Sequence, residues 1–370
     1  MLEYKKRKEV GENVDNEISK YHNAQMAMKI FLNSAYGAVG NQYFTFYNMD
    51  NAEAITLSGQ LSIRWVERHI NKFLNEKMGT NEDYIIAMDT DSIYLRLGTV
   101  VDRFIAPTVD RDLHGNRTPV TRANLITDKL NTFCERVIQP QIERAYKELA
   151  DYLQVYENAM EMKRETIAKS AIWKAKKMYI LNQVDNEGVR FKKPELKVMG
   201  IESVRSSIPE VCRNALKKSF EIIMNEDEAA LIKFVSNFKR DFDVMPFSDI
   251  AFPRGVKGIN KYRDIKGVYQ KGTPIHTKGA LLYNEMLKKH KLSLTPIYDG
   301  DKIKYAYLKA PNPLRDTVIA APGYLPKEFG LDEYVNRNLQ FEKSFLSPLK
   351  AITDIIGWKT EESISIEEFF

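Results

Sequence analysis

The stretch Ile85-Ile86-Ala87-Met88-Asp89-Thr90-Asp91-Ser92-Ile93-Tyr94 places two carboxylates between two short apolar runs. These runs, residues 84–88 and 92–97, are rich in strand-forming residues and predict a β-hairpin with a tight acidic tip. Alternate residues of an extended chain face one side, so Asp89 and Asp91 are expected to converge. Two such carboxylates suit Mg²⁺ and repel each other unless a cation lies between them. A solvent-exposed acidic turn explains the same residues equally well, because Asp is a good turn former.

Two helices are predicted upstream, at residues 1–9 and about 15–35, joined by a polar turn. On the second helix, an apolar stripe is expected to lie in the core and a polar stripe lies beside it. The polar stripe offers a cation, an amide and a phenol to a nucleotide, although an ordinary amphipathic core helix has the same pattern. The apolar stripe is Met28, Phe31, Leu32 and Ala35, and the polar stripe is Lys29, Asn33 and Tyr36, followed by Gly37.

Helices and strands then mix without regular alternation, which indicates an α+β domain from about residue 42 to 200 and a mainly helical part after it. A capping box at Asp50 and Glu53 predicts the start of a long helix that ends near Met78. Its expected buried line is Ile55, Gly59, Ser62, Val66, Ile70 and Phe73. Further helices are predicted at 121–153, 210–225, 227–242 and around 333–345, and strands at 178–184, 189–191 and 196–199.

The composition favours a soluble globular protein: 370 residues, 44% of them apolar, with no run of about 20 apolar residues to cross a membrane. Two cysteines, Cys134 and Cys212, with five histidines exclude a CxxC zinc site and favour a reducing, cytoplasmic setting. The net charge is only +5, but residues 161–200 hold ten Lys and Arg against five acids, and 251–290 hold nine against two. Such stripes can follow a phosphate backbone, or they can be solvated surfaces.

Several motifs, all in one order, resemble family B DNA polymerases, above all those of T4-like bacteriophages, including the cyanophage group. The resemblance covers nearly the whole chain and implies a partial right-hand fold. Residues 1–41 are then a finger helical hairpin, 42–200 the carboxy-terminal part of a palm with an antiparallel sheet packed by helices, and 201–370 a mainly helical thumb. The motifs are KIFLNSAYG at 29–37, NAEAIT at 51–56, DTDS at 89–92, KKMY at 176–179, GIE at 200–202, SSIP at 206–209 and PIHTKG at 274–279.

The resemblance also implies roles for individual residues. Asp89 and Asp91 match catalytic residues that bind two Mg²⁺ ions, and Glu165 matches an acidic residue near those metals. Lys177 and Tyr179 match residues that hold the primer terminus, and their spacing would let them face one side of a strand. The incoming dNTP is expected at Lys29, Asn33, Tyr36 and Gly37, the primer terminus at Lys176, Lys177 and Tyr179, and the new duplex at Arg205, Ser206, Ser207, His276 and Lys278.

This sequence lacks the DxxSLYPS-like motif, which supplies the other metal-binding Asp in the family. It also lacks the acidic residues of the exonuclease. Two-metal nucleotidyl transfer needs carboxylates on both sides of the metal pair. We therefore expect the carboxy-terminal part of a replicative DNA-directed DNA polymerase, active only with an amino-terminal polymerase fragment. Whether Lys5, Lys6 or Arg7 replaces triphosphate-binding residues of that fragment stays open. The alternative is a non-catalytic DNA-binding or structural subunit that retains palm and thumb.

The last ten residues, 361–370, place Ile366, Phe369 and Phe370 at helical spacing after an acidic run. This pattern predicts a docking peptide, and it is similar to the tails by which these polymerases bind a sliding clamp. A terminal turn packed on the thumb is the alternative. The implied partners are primer-template DNA, dNTPs, the amino-terminal fragment and the clamp, without a membrane, in the cytoplasm of an infected bacterial host.

Overall fold

The computed structural model describes residues 2–113, 118–201, 205–264 and 267–361, which form an α+β structure as predicted. The chain divides into two compact units, one of residues 1–169 and 182–195 and the other of residues 170–181 and 196–370. Within the described ranges, no helix has the length and apolar character needed to cross a bilayer. The predicted clamp-binding residues Ile366, Phe369 and Phe370 lie outside the described residues.

The first unit starts with the two predicted helices, α1 (Leu2–Glu9) and α2 (Asp15–Val39). Tyr4 stacks on Tyr21 with ring centroids 5.4 Å apart, so α1 folds back along α2. None of the residues of α2 is buried.

The prediction that the apolar stripe of α2 lies in the core was therefore wrong for the described chain. Met28, Phe31 and Leu32 are 60%, 67% and 62% exposed, and Ala35 is exposed as well. The pattern correctly predicts a helix, but among the described residues nothing covers the stripe that was expected in the core.

The third helix, α3 (Met49–Met78), starts at Asn48, whose side chain accepts a hydrogen bond from the Asn51 N–H at 2.9 Å. The predicted capping box at Asp50 was therefore wrong, because Asp50 lies inside the first turn. The helix ends as predicted. Its predicted buried line is only partly right, since Ile55 is 56% exposed. The buried residues of α3 are Ala52, Ser62, Ile63, Val66, Ile70, Leu74 and Met78.

The predicted acidic hairpin is present, with β1 (Ile85–Asp89) paired antiparallel to β2 (Ser92–Leu95). Four helices follow it, and α3 and α7 pack around the hairpin in one apolar core. That core includes Val66, Ile70, Leu74, Tyr84, Ile85, Ile142 and Tyr146. The four helices are α4 (Gly98–Val100), α5 (Ala106–Asp112), α6 (Pro119–Phe133) and α7 (Gln139–Leu153).

The single helix predicted for 121–153 is divided into α6 and α7 by the π-helical turn Cys134–Ile138. Pro140 follows two residues later and lacks the N–H that would complete the regular helical ladder. The same relation recurs twice, which makes proline the common cause. The other two π-helical turns are Val101–Ile105 before Pro107 and Glu342–Leu346 before Pro348.

A three-stranded sheet contains β3 (Thr166–Ala175), β4 (Met178–Asn186) and β5 (Val189–Met199), in that order. Both units contribute residues to these strands. The sequence pattern did not predict β3, because its buried Ile167 and Ile172 are five positions apart and break the period of two.

The second unit contains α8 (Glu210–Asn225) and α9 (Glu228–Val244), both predicted, and Asp227 caps α9. It also contains α11 (Ile275–Lys289) and a three-stranded antiparallel sheet, neither of which was predicted. The helix predicted around 333–345 is instead a pair joined by a π-helical turn. The remaining elements are α10 (Phe247–Ile250), β6 (Phe252–Gly255), β7 (Lys302–Tyr307), β8 (Val318–Ala321), α12 (Arg337–Phe341) and α13 (Ser347–Ile356).

Candidate active site and nucleic-acid interface

The tip of the β1–β2 hairpin is held by hydrogen bonds to Asp89. The Asp91 N–H donates to the Asp89 carbonyl at 2.6 Å, and the Ser92 hydroxyl donates to the same oxygen at 3.1 Å. The Thr90 hydroxyl donates to the Asp89 carboxylate at 3.1 Å. Asp91 is exposed and Asp89 is partly buried, so the backbone bonds that form the turn leave the Asp91 carboxylate at the surface.

The strand period does not relate the two carboxylates. Thr90 has a φ of 55° in the left-handed region, and Thr90 and Asp91 form a turn rather than an extended strand. Asp89 and Asp91 lie at the tip of the predicted hairpin, and the convergence of their carboxylates stays a prediction. Its stated reason, alternation along an extended chain, was wrong.

Tyr146 of α7 is a neighbour of this tip that the motifs did not reveal. Its side chain is buried in the core of the first unit. Burial raises the pKa of Tyr146, and the negative charge of Asp91 raises it further. A neutral phenol therefore lies within electrostatic reach of the Asp91 carboxylate. The sequence pattern predicted only a helix over 121–153, and no motif singled out this position.

The described residues supply part of a metal site. Within the ranges that the structure describes, no group of three or more His, Cys, Asp and Glu side chains is close enough to hold a metal ion. Glu165 is exposed and does not form such a group with Asp89 and Asp91. The tip offers the carboxylate oxygens that Mg²⁺ prefers, so its chemistry fits that ion, but further ligands are needed to complete the coordination.

The backbone at Glu165 is held by the turn between β4 and β5. The Glu187 N–H donates to the Glu165 carbonyl at 2.5 Å, and the Arg164 guanidinium donates to it at 3.3 Å. Arg164 also pairs with Asp185, whose side chain is only 4% exposed and accepts the Gly188 N–H at 3.0 Å. This buried ion pair joins the start of β3 to the turn and fixes the position of Glu165.

The predicted nucleotide-binding residues all lie on the exposed surface of α2. Lys29, Asn33, Tyr36 and Gly37 follow one another along its second half. The Tyr36 hydroxyl donates to the Ala52 carbonyl of α3 at 3.4 Å, which restrains the ring. A Cβ atom added to Gly37 would meet no atom within 4 Å, so the backbone there is open to a ligand.

The KKMY motif forms the turn from β3 into β4. Lys176 and Lys177 are exposed, and Lys177 has a left-handed φ of 61°. Tyr179 is 7% exposed and its ring lies 5.9 Å from that of Trp173. The prediction that Lys177 and Tyr179 face one side of a strand was wrong, because Lys177 lies in the turn before β4 begins.

The predicted duplex-binding residues of the second unit lie in two places. Arg205, Ser206 and Ser207 lie in the turn that precedes α8, where the Ile208 N–H donates to the Arg205 carbonyl at 3.2 Å. His276 and Lys278 lie in the first turn of α11.

His276 is partly buried, with its ring 6.3 Å from that of Tyr305. Burial lowers the pKa of His276, and the positive charge of Arg254 lowers it further. The permanent cation at this position is therefore Arg254, an exposed residue of β6. Arg254 lies outside every motif, so only the basic excess of residues 251–290 pointed to it.

Lys278 forms an ion pair inside the protein. Its Nζ lies 2.7 Å from a carboxylate oxygen of Asp316 and 4.6 Å from the centre of the Tyr269 ring. The Tyr269 hydroxyl donates to the other oxygen of Asp316 at 2.6 Å. Burial alone would lower the pKa of Lys278, but its interactions with Asp316 and Tyr269 outweigh burial, and the pKa is raised. Lys278 is therefore a charged residue with a partner already in place.

Neither cysteine is suited to nucleophilic chemistry at neutral pH. Burial raises the pKa of both Cys134 and Cys212 to about 11. Since the thiolate is the reactive form, neither thiol is expected to act as a nucleophile near neutral pH.

Comparisons with known proteins bear on the family of this chain. The sequence model of DNA polymerase family B matches residues 3–113, which include α2 and the acidic hairpin. The DNA-directed DNA polymerase of Enterobacteria phage T4 is 36% identical over 359 residues, and that of Escherichia phage RB69 is 32% identical over 360 residues. Each match covers 94% of this chain and 38% of the relative. A DNA polymerase beta of African swine fever virus is 31% identical over 30% of this chain and 9% of its own length.

The chain thus spans about two fifths of the length of the two phage relatives it matches. Identity at this level over nearly all of the chain is much stronger support than any single motif. The chain belongs to the family B DNA polymerases and is related to those of T4-like phages.

Proposed function

We propose that this chain is the carboxy-terminal part of a replicative DNA-directed DNA polymerase that adds dNTPs to a primer 3′ end in an infected bacterial cell. In this proposal, residues 1–41 belong to the fingers, 42–200 to the palm and 201–370 to the thumb. The observation that carries it is the exposed carboxylate of Asp91 beside Asp89 at the tip of an apolar hairpin, in a region that matches the polymerase family.

Asp89 and Asp91 would hold two Mg²⁺ ions, with Glu165 nearby. When bound, such ions activate the primer 3′ oxygen and neutralise the leaving pyrophosphate. The protein contributes the position of the carboxylates. The three hydrogen bonds at the tip hold the turn, so the backbone that carries Asp91 would already be in place when the metal ions and substrate bind.

The incoming dNTP would lie along the polar side of α2. Lys29 supplies a positive charge for the triphosphate, and Asn33 lies one helical turn further along the same side. Tyr36, restrained through Ala52, and the open backbone of Gly37 form a flat surface for the nascent base pair.

Primer-template DNA would contact Lys176, Lys177 and Tyr179 of the KKMY motif and further polar residues, all of them in the second unit. Phosphate contacts of this kind position the duplex without reading its sequence, as template-directed synthesis requires. The further contacts would come from Arg205, Ser206, Ser207, His276 and Lys278.

Activity would need a second polypeptide segment, supplied within a longer chain or as a separate subunit. The described acidic residues do not complete a metal site, and the phage relatives are much longer than the matched region. This amino-terminal partner would supply the other metal-binding Asp and the exonuclease.

Primer extension tests this proposal. The chain alone is expected to extend a primer poorly in Mg²⁺, and a mixture with the polypeptide that carries the DxxSLYPS-like motif is expected to extend it efficiently. Robust Mg²⁺-dependent extension by the chain alone would show that no partner is needed.

The apolar stripe of α2 is a suitable contact for that partner. Met28, Phe31 and Leu32 are spaced to pack into the groove of another amphipathic helix. The stripe lies beside the polar stripe and does not coincide with it, so a partner on the apolar side leaves Lys29 available to the dNTP.

Changing Phe31 and Leu32 together to glutamate is therefore expected to abolish co-purification with the partner and to reduce extension to the level of the chain alone. Two charges would have to be buried without partners in the interface, which costs several kcal/mol or about a thousandfold in affinity. The matched control is Ile30→Glu, because Ile30 is 60% exposed but lies about 200° around the helix from Met28. Equal behaviour of the two variants would contradict this contact.

We also propose that residues 361–370 bind a sliding clamp through Ile366, Phe369 and Phe370. Deleting residues 366–370 is expected to abolish the increase in processivity that the clamp gives, because the apolar side chains that would dock are lost. Synthesis without a clamp should stay unchanged. Full clamp stimulation of the shortened chain would contradict the proposal.

A further inference from the structure

Gly200 and Lys177 meet through their backbones at one end of the β3–β4–β5 sheet. Gly200 follows the last residue of β5 and has a φ of 67°, and Lys177 precedes β4 with a φ of 61°. A Cβ atom added to Gly200 would lie 2.3 Å from the Lys177 carbonyl oxygen and 3.1 Å from Cγ of Met178. Both distances are shorter than ordinary van der Waals contact.

The short distance to the carbonyl matters most, because a backbone oxygen cannot rotate away as a flexible side chain can. Any residue other than glycine at position 200 must move the Lys177 peptide or the end of β5. Gly330 provides a comparison in the same unit: its φ is 63°, but an added Cβ would meet no atom within 4 Å. Gly330 is thus required only for its backbone conformation, whereas Gly200 is also required for space.

We propose that Gly200 is a positioning residue for the turn that carries Lys176 and Lys177. Its bare Cα lets the chain after β5 press against the Lys177 carbonyl, and this contact holds both lysines of the turn in one backbone geometry. The inference rests on the proposed function, which assigns these lysines to the primer terminus. A fixed turn would then bind the primer with less loss of conformational entropy than a mobile one.

Four variants distinguish the two requirements for glycine, which are space for a Cβ atom and a positive φ. Asparagine adopts a positive φ more readily than alanine, but both residues carry a Cβ. At Gly330, asparagine is therefore expected to be tolerated better than alanine. At Gly200, alanine and asparagine are both expected to displace the turn. The set is Gly200→Ala, Gly200→Asn, Gly330→Ala and Gly330→Asn.

Two measurements on the whole chain report on the conformation of this turn and on its binding of DNA. Amide hydrogen exchange at residues 176–179 is expected to rise several-fold in both Gly200 variants, with little change in the core of the second unit. The dissociation constant for primer-template DNA is expected to rise about tenfold. In a background with both Lys176→Ala and Lys177→Ala, the Gly200 change should weaken DNA binding no further, because both side chains that it positions are gone.

The outcomes are distinct. Unchanged exchange at 176–179 in both Gly200 variants would overturn the proposal, and so would fully additive losses in the background that lacks both lysine side chains. Faster exchange with unchanged DNA affinity would overturn the positioning role and trace the failure to the primer contact assigned to Lys177. If the Gly200 variants do not fold, insertion of one glycine between Lys176 and Lys177 loosens the same turn without adding an atom near Gly200. This insertion is expected to give the same faster exchange and weaker binding, and wild-type behaviour would overturn the proposal.

Discussion

Replacing Asp91 with alanine is expected to reduce primer extension by the chain and its partner by at least about a thousandfold. The carboxylate is exposed at the hairpin tip, and the turn is formed by the backbone of Asp91 and by Asp89. Its removal therefore takes away a metal ligand while the turn remains. The free energy of unfolding should change by no more than about 0.5 kcal/mol, as for a surface substitution.

A matched control is Asp102→Ala, which removes an exposed acid from the same unit at a site without a proposed role. Its extension rate should equal that of the wild type. The experiment also decides between the two functions considered for this chain. A non-catalytic DNA-binding subunit needs no carboxylate at position 91, so an Asp91→Ala complex that extends primers at the normal rate would favour that alternative.

Features set by neighbouring residues were predictable from the sequence. The acidic hairpin forms because two strand-forming runs flank a three-residue tip, and α8 and α9 follow from helical periodicity and the Asp227 cap. The motif resemblance added the family. Periodicity also predicted helix α2, but it could not show whether any partner covers the apolar stripe.

Features set by distant residues were not predictable. Tyr146 and Asp91 lie far apart in the sequence, and so do Lys278 and Asp316, so only the fold brings each pair together. The strand β3 was missed because its buried residues break the alternation. The close backbone contact between Gly200 and Lys177 depends on two residues with left-handed backbone conformations, and they meet only once the sheet has formed.

Lys278 shows how a motif residue can have a structural role that its motif does not reveal. Lys278→Met is expected to lower the free energy of unfolding by about 3 kcal/mol, because it leaves the charge of Asp316 buried without its cation. The Asp316 side chain is 8% exposed and that of Lys278 is 21% exposed. The double variant Lys278→Met with Asp316→Asn should recover most of this loss. Lys271→Met, at an exposed lysine ahead of α11, should cost less than about 0.5 kcal/mol.

The double variant also decides whether Lys278 contacts DNA. Because Asp316 already neutralises it, Lys278 adds little net charge to the surface, and Arg254 remains as a permanent cation near His276. If a DNA phosphate replaces Asp316 as the partner of Lys278, the variant with Lys278→Met and Asp316→Asn should bind duplex DNA more weakly. The magnitude of the slope of log affinity against log salt concentration should then fall by about one. An unchanged slope in a stable double variant would leave Lys278 with a structural role alone and move the phosphate contact to Arg254. The expected result is the weaker binding, since the Lys278 side chain retains some exposure and can reach solvent without unfolding its helix.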